Sequence, residues 1–321
     1  MPANQDVRVE LLSTINADYI VPFRVAVQSL LDHARPGISL RWHVWHTGVC
    51  DDLKRQVEQH EEDVDLEFAW YEAGDKLFGL PVRGHFVPHV YARLFATERL
   101  PAEVRRFIYV DGDVLVLDDI EKLWSTDLDG ASVAAVQDLA VPRVSSPMGL
   151  KHFRTLGFDA EAPYFNAGVY VADVAAWRKA RIGQAALAYL EEYRDHINLL
   201  DQDALNAVIK GSWKPLDYRW NLVSGPAGRS FCPRDGLDIA QLERAVANPG
   251  IVHFAGLLKP WVYPSLGSPW ADEYARELRR LYPAHRLNTS FRARGISFYD
   301  RRLRHWTHGL EKRIWAARRG F

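Results

Sequence analysis

The sequence predicts an α/β protein built on a mainly parallel, mixed sheet flanked by helices, and three observations carry that expectation. Apolar runs of strand length alternate with helical stripes along the first two thirds of the chain. Several of those runs are hydrophobic throughout, as strands covered on both faces must be. The chain is also long enough: 321 residues, 48% of them hydrophobic, with a net charge of −1, can bury a large core in one long α/β domain or two smaller ones.

Residues 7–13 read as the first strand, and residues 23–33 carry a helical apolar stripe. Residues 40–46 and 66–70 read as further strands with helical stretches between them. The alternation continues with strands at 107–110, 132–136 and 168–171, followed by one long helix over 174–194. Strand–helix–strand units in this order imply right-handed crossovers. Residues 142–163 are rich in Pro, Ser and Gly, and residues 211–233 are irregular and aromatic. Both read as loops over a site.

No apolar run approaches the roughly 20 residues of a membrane span, and the N-terminus is neither basic nor apolar. The expectation is a soluble, cytoplasmic protein. Cys50 and Cys232 have no metal-type spacing, which fits a reducing compartment. The charge is unevenly placed: residues 281–321 hold 10 Lys+Arg against 2 Asp+Glu, or +8, which leaves −9 for residues 1–280. In this tail Leu303, Trp306, Leu310, Ile314 and Trp315 recur at helical spacing among arginines. The chain therefore divides into a domain of residues 1–282 and a basic amphipathic tail of residues 283–321. The tail either lies on the anionic inner face of a membrane or docks on the domain. Nucleic acid is set aside, because no recognition motif accompanies the charge.

Asp111-Gly112-Asp113 interrupts an otherwise apolar run, with residues 107–110 read as a strand and residues 114–117 as its continuation. Two carboxylates at the end of a parallel strand face a ligand crevice, and a hard cation with a diphosphate is what such a pair would hold. A solvated Asp-Gly hairpin turn is the other reading of the tripeptide alone. Asn166-Ala167-Gly168 can aim an amide at a sugar hydroxyl while small residues let the backbone approach; a turn residue opening a strand is the plainer reading. In Asp201-Gln202-Asp203, leading into a helix, one acid is expected to cap the helix and the remaining acid or amide to face substrate. In the last segment, His253-Phe254-Ala255-Gly256 ends an apolar strand before Lys259-Pro260-Trp261. His253 can complete a metal shell and Lys259 can meet a phosphate, although each alone is more often a core imidazole and a surface charge.

In this order the four segments resemble the retaining glycosyltransferases of family 8, which include glycogenins and bacterial lipopolysaccharide galactosyl- and glucosyltransferases. His85 and Tyr91-Ala92-Arg93-Leu94 add to the likeness, which runs from Val7 to Trp261. The resemblance implies a GT-A fold, a Rossmann-like nucleotide-diphospho-sugar domain, and transfer of a hexose from UDP-galactose or UDP-glucose to a glycan or lipid-linked glycan. Mn2+ or Mg2+ would be bound by Asp111, Asp113 and His253. Lys259 and Gly256 would contact the diphosphate, with Gly112 between the two metal ligands. Arg93, Asn166, Asp201 and Gln202 would surround the donor sugar, with Asp201 and Gln202 nearest the chemistry. Thr14, Asn16, Asp18 and Tyr19 would hold uridine, and Asn16 stands where many relatives carry Asp. Two other functions remain open at this point: a metal-dependent nucleotide-sugar hydrolase and a non-catalytic nucleotide-sugar-binding module.

Overall fold

Strand β1 (Arg8–Asn16) lies at the centre of the molecule, and its sequence requires that place. Leu11 and Leu12 are adjacent and both fully buried, yet they belong to two separate hydrophobic cores. Successive side chains of a strand point to opposite faces, so such a strand must be covered on both sides. The computed structural model describes residues 8–60, 64–74, 80, 88–225, 236–256, 259–263 and 269–286.

β1 pairs in parallel with β2 (Ser39–Thr47), which pairs in parallel with β3 (Asp65–Glu72). On its other side β1 runs parallel to β4 (Arg106–Val110). Next comes β7 (Phe165–Asp173), antiparallel to β4 and to β6 (Val133–Gln137); β8 (Lys214–Pro215) closes the edge. The seven-stranded order is β3-β2-β1-β4-β7-β6-β8. A second sheet has the order β5-β10-β9, with β5 at Val114–Val116, β9 at Leu222–Val223 and β10 at Ile251–His253.

One core packs α1 (Ile20–His33), through Phe23, Val27 and Leu30, against Leu11, Ile108 and Val110. The other gathers Leu12, Phe107, Tyr109 and Tyr170 with Trp177 of α5 (Val174–Lys179), α6 (Ile182–Glu192) and α7 (Asp201–Ile209). Further helices are α2 (Asp51–Glu58), α3 (Ala92–Arg99), α4 (Ile120–Trp124), α8 (Ile239–Ala247) and α9 (Pro269–Leu281).

Two sequence expectations are corrected here. Residues 114–117 do not continue β4: the chain leaves the large sheet at Gly112, and Val114 pairs with His253 of the small sheet. A period-2 apolar run cannot reveal that its partner has changed. Nor is the segment a hairpin turn, since β4 and β5 lie in different sheets. The helix expected over 174–194 is two helices, broken at Arg181, whose φ is 52°. The break lets α6 press on α3, where a Cβ on Gly183 would lie 2.1 Å from the Leu94 carbonyl oxygen. Among the described residues no helix is long and apolar enough to cross a membrane. His85, Cys232 and residues 287–321, with most of the basic tail, lie outside the described residues.

Candidate active site

The site lies where β1, β4 and β10 end and β7 begins. Asp111 leaves β4 with its backbone N–H bonded to the Gly168 carbonyl at 2.8 Å. Gly112 turns against β1, where a Cβ would meet Ile15 Cγ2 at 3.3 Å. Asp113 is then held from the other sheet, its carbonyl accepting from the Phe254 N–H at 2.9 Å. That bond sets His253, the last residue of β10, beside both acids.

His253 Nε2 is 3.6 Å from Asp111 Oδ2 and 3.4 Å from Asp113 Oδ1. Ligand atoms of the three residues all lie within 4.8 Å of one another. Gly168 backs this trio: a Cβ there would stand 2.2 Å from His253 Cε1 and 2.9 Å from Asp111 Oδ2. The glycine of Asn166-Ala167-Gly168 is thus required for room around the imidazole.

A bulge in β7 supplies much of the remaining wall. Tyr170 pairs with Ala135 but Asn166 with Val136, so residues 167–169 have no partner on β6. The backbone groups of Ala167 turn to the site instead, while Val169 keeps its pairing with Val110 of β4. The Ala167 carbonyl accepts from Arg93 at 2.6 Å, and the Ala167 N–H donates to Gln202 Oε1 at 3.0 Å.

Arg93 ties the centre together. Its guanidinium bonds Asp111 Oδ1 at 2.9 Å and pairs with Asp201 Oδ2 at 3.0 Å, while its carbon lies 4.0 Å from the Tyr109 ring centroid. The Tyr109 hydroxyl donates to Asp111 Oδ1 at 2.8 Å and is itself bonded to the Thr14 hydroxyl at 2.8 Å. Burial raises the Asp201 carboxyl to about 6, against the pull of Arg93. Burial also opposes the charge of Asp113, but Lys259 and His253 outweigh it and hold that carboxyl well below the usual range. Lys259 Nζ donates to Asp113 Oδ2 at 2.5 Å and to the Phe254 carbonyl at 2.9 Å. It reaches there over the turn at Gly256, whose φ of 97° favours glycine.

Neither acid of the Asp201-Gln202-Asp203 triplet caps its helix, contrary to expectation. The N-cap is Leu200, with no side-chain cap bond. Asp203 reaches back to the Asn198 and Leu199 N–H groups at 2.7 and 3.0 Å and accepts from the Tyr164 hydroxyl. This frees Asp201 to face Arg93.

These groups line one cavity of about 440 Å3. Thr14, Tyr19, Arg93, Asp111, Gly112, Asp113, Asn166, Asp201, Gln202, His253, Gly256 and Lys259 all border it. Asn16 and Asp18 do not line it: Asp18 is exposed, and half-buried Asn16 has an Oδ1 with no partner among the described residues. Four residues of the site were not anticipated. His89 precedes Arg93 by one helical turn and borders the cavity, its imidazole lowered to about 4 by burial and then by Arg93. Asp138, at the end of β6, and Met148, in the 142–163 loop, border it too. Asn221 lies behind His253 at the end of a short 3-10 helix, Tyr218–Asn221, whose sequence carries no local signal. The i,i+4 spacing of His89 and Arg93 was the one legible clue.

The model of glycosyl transferase family 8 matches residues 10–264. The chain belongs to glycosyltransferase family 8. It is a glycosyltransferase with the GT-A fold, a class that takes a nucleotide-sugar donor with a divalent metal and passes the sugar to a glycan acceptor. General stress protein A of Bacillus subtilis (strain 168) is 30% identical over 250 residues, which are 77% of this chain and 84% of that protein. Lipopolysaccharide 1,2-glucosyltransferase of Escherichia coli (strain K12) is 27% identical over 286 residues, covering 83% of this chain and 80% of its own. The crystal structure of galactosyltransferase LgtC in complex with donor and acceptor sugar analogs superposes with a TM-score of 0.71 at 26% identity, covering 90% of this chain and 100% of that one.

Proposed function

We propose that this family 8 enzyme transfers galactose or glucose from its UDP-sugar, with retention, to a glycan of the lipopolysaccharide or lipooligosaccharide core. The observation that carries the reading is the convergence of Asp111, Asp113 and His253 with Lys259 on one cavity that Arg93, Asp201 and Gln202 also line. Similarity to a lipopolysaccharide glucosyltransferase and to a galactosyltransferase supports the hexose and the acceptor class.

The donor set fits a hard divalent ion: two carboxylates and one imidazole suit Mn2+, and Mg2+ by the same oxygens. Asp111, Asp113 and His253 Nε2 would hold it, and when bound it supplies Lewis-acid stabilisation to the departing diphosphate. Lys259, released from Asp113, adds positive charge where the diphosphate develops. Asn166 and Gln202 orient the sugar, while Asp201 opposes the cationic charge of its ring carbon. Thr14 and Tyr19, which border the cavity, hold the uridine.

The two other carboxylates on the cavity have other duties. Asp138 accepts four hydrogen bonds, from the Ala140 and Val141 N–H groups, Asn166 and Gln202. Asp201 is ion-paired with Arg93. A carboxylate so engaged is a poor nucleophile, which supports attack by the acceptor on the face the UDP leaves. The acceptor enters beside Met148, the one exposed large apolar side chain among the described residues, 48% exposed on the cavity rim.

Residues 1–282 act as the catalytic domain, and the basic tail of residues 283–321 holds the enzyme to the anionic cytoplasmic face of a membrane. The charge of the tail, +8 from residue 281 onward, supports that placement.

A panel of UDP-sugars scored by thermal shift with Mn2+, followed by UDP release with and without acceptor, tests the function. Release that depends on acceptor is expected. Release without acceptor would make the protein a hydrolase, and binding without release a silent module.

A further inference from the structure

His253 can serve as a metal ligand through Nε2 only while the proton of its neutral ring resides on Nδ1, and the protein contains a device that decides this. His253 Nδ1 is 2.9 Å from Asn221 Oδ1. Asn221 Nδ2 donates to Asn166 Oδ1 at 2.8 Å, and Asn166 Nδ2 donates to Asp138 Oδ2 at 2.8 Å. Amide orientations are settled by their hydrogen-bond partners, and here two partners are unambiguous. Asp138 accepts on both oxygens, Oδ1 from the Ala140 and Val141 N–H groups and Oδ2 from Gln202 Nε2, so the NH2 of Asn166 faces Oδ2. The Gly168 backbone N–H only donates, at 2.9 Å, so the oxygen of Asn166 must face the other way. Asn166 is pinned twice. Its oxygen then forces the NH2 of Asn221 toward it and the oxygen of Asn221 toward His253. An oxygen at 2.9 Å requires a proton on Nδ1, so whenever the ring is neutral its lone pair is on Nε2, the nitrogen that faces Asp111 and Asp113.

We propose that Asn221 is a positioning residue that sets the tautomer of His253 through a relay anchored at Asp138 and the Gly168 amide. Asn221 is 0% exposed and does not border the cavity, so it acts through the imidazole and not on substrate. The anchor is shared: Asp138 Oδ2 also accepts from Gln202 Nε2 at 3.1 Å. One carboxylate therefore orients the amide assigned to the sugar and, three groups away, the imidazole assigned to the metal. Outer partners that fix a ligating histidine typically change metal affinity by about 10- to 100-fold when removed. The proposal rests on the reading of Asp111, Asp113 and His253 as metal ligands, and its test separates the two.

The test compares wild type with Asn221→Leu, which keeps the branched shape and deletes both polar atoms, and with Asn221→Asp, which keeps the acceptor for Nδ1–H. Nitrogen-15 NMR of the imidazoles at pH 8, without metal, reads the tautomer; electron paramagnetic resonance of free Mn2+ reads affinity. The expected result is Nδ1–H in wild type and Asn221→Asp, with Nε2–H appearing in Asn221→Leu and Mn2+ binding about 10- to 100-fold weaker there. An Asn221→Leu protein with the wild-type tautomer and affinity overturns the proposal. Should that variant not fold, Asn221→Asp decides it, since loss of Nδ1–H there also overturns it. Wild-type protein that shows Nδ1–H but binds no Mn2+ refutes the metal reading and leaves the relay standing.

Discussion

Adding one methyl group at Gly168 tests the construction of the site without touching a charged residue. A Cβ there would stand 2.2 Å from His253 Cε1, 2.6 Å from Nδ1 and 2.9 Å from Asp111 Oδ2. Carbon atoms rest about 3.5 Å apart or more, so the ring must retreat by about 1.3 Å. It has little room to do so, because His253 lies in register with Val114 and Val223 and is bonded to Asn221. Overpacking of this kind costs about 1–3 kcal/mol of stability. Displacing one ligand by more than an ångström from the two acids breaks the convergence a divalent ion needs. Gly168→Ala is therefore expected to melt several degrees lower yet remain folded, and to lose at least about tenfold in Mn2+ affinity, the low end for a disturbed histidine ligand. Differential scanning calorimetry and Mn2+ titration by electron paramagnetic resonance measure the two effects. Wild-type melting together with wild-type Mn2+ affinity would show that the imidazole is not wedged between Gly168 and the acids, and would refute the reasoning.

Asp113→Asn is expected to remain folded while divalent-dependent transfer falls by at least about 100-fold, because a neutral amide is a poor ligand for a hard cation; metal-titrated transfer rates check this. Burial places the Asp201 carboxyl at about 6, above its ordinary 3.8, so the folded state takes up this proton more readily than the unfolded chain. The contribution of Asp201 to stability therefore falls as pH rises from about 4 to 6, and Asp201→Asn should flatten that part of the stability profile. Activity needs the ionised form and should decline below pH 6, and a transfer rate constant from pH 7.5 to 5 would contradict this. His89 shows the opposite sense. Its folded value is lowered from 6.5 to about 4, so its contribution to stability is lost as pH drops below 6.5, and His89→Gln should melt with less acid sensitivity. Deleting residues 296–321 is expected to weaken sedimentation with anionic vesicles more than turnover of a soluble acceptor, and equal vesicle binding by the two proteins would remove the membrane role.

Local patterns in the sequence announced the strands β1, β2, β3, β4, β6 and β7, because strands covered on both faces are largely apolar and the edge strand β3 keeps apolar residues among its polar ones. The polar residues that interrupt those runs announced most of the site. Asp111, Asp113, Asn166 and His253 stand at strand ends, where a polar group in apolar surroundings needs a partner or a ligand. Long-range pairing had no such signature. That residues 114–116 join His253 in a second sheet, that residues 167–169 bulge from β6, and that Asp203 rather than Asp201 serves the backbone before α7 all depend on segments distant in the chain. Asn221 is the clearest case: nothing near it in sequence distinguishes it from a loop asparagine, and only folding brings it against an imidazole 32 residues further along. Residue type and spacing sufficed to point to the family, since polar motifs set in order at the ends of buried strands restrict which side chains can stand where. The choice of partner for each hydrogen bond was left to the tertiary structure, because an amide serves as donor or acceptor according to what the fold sets opposite it.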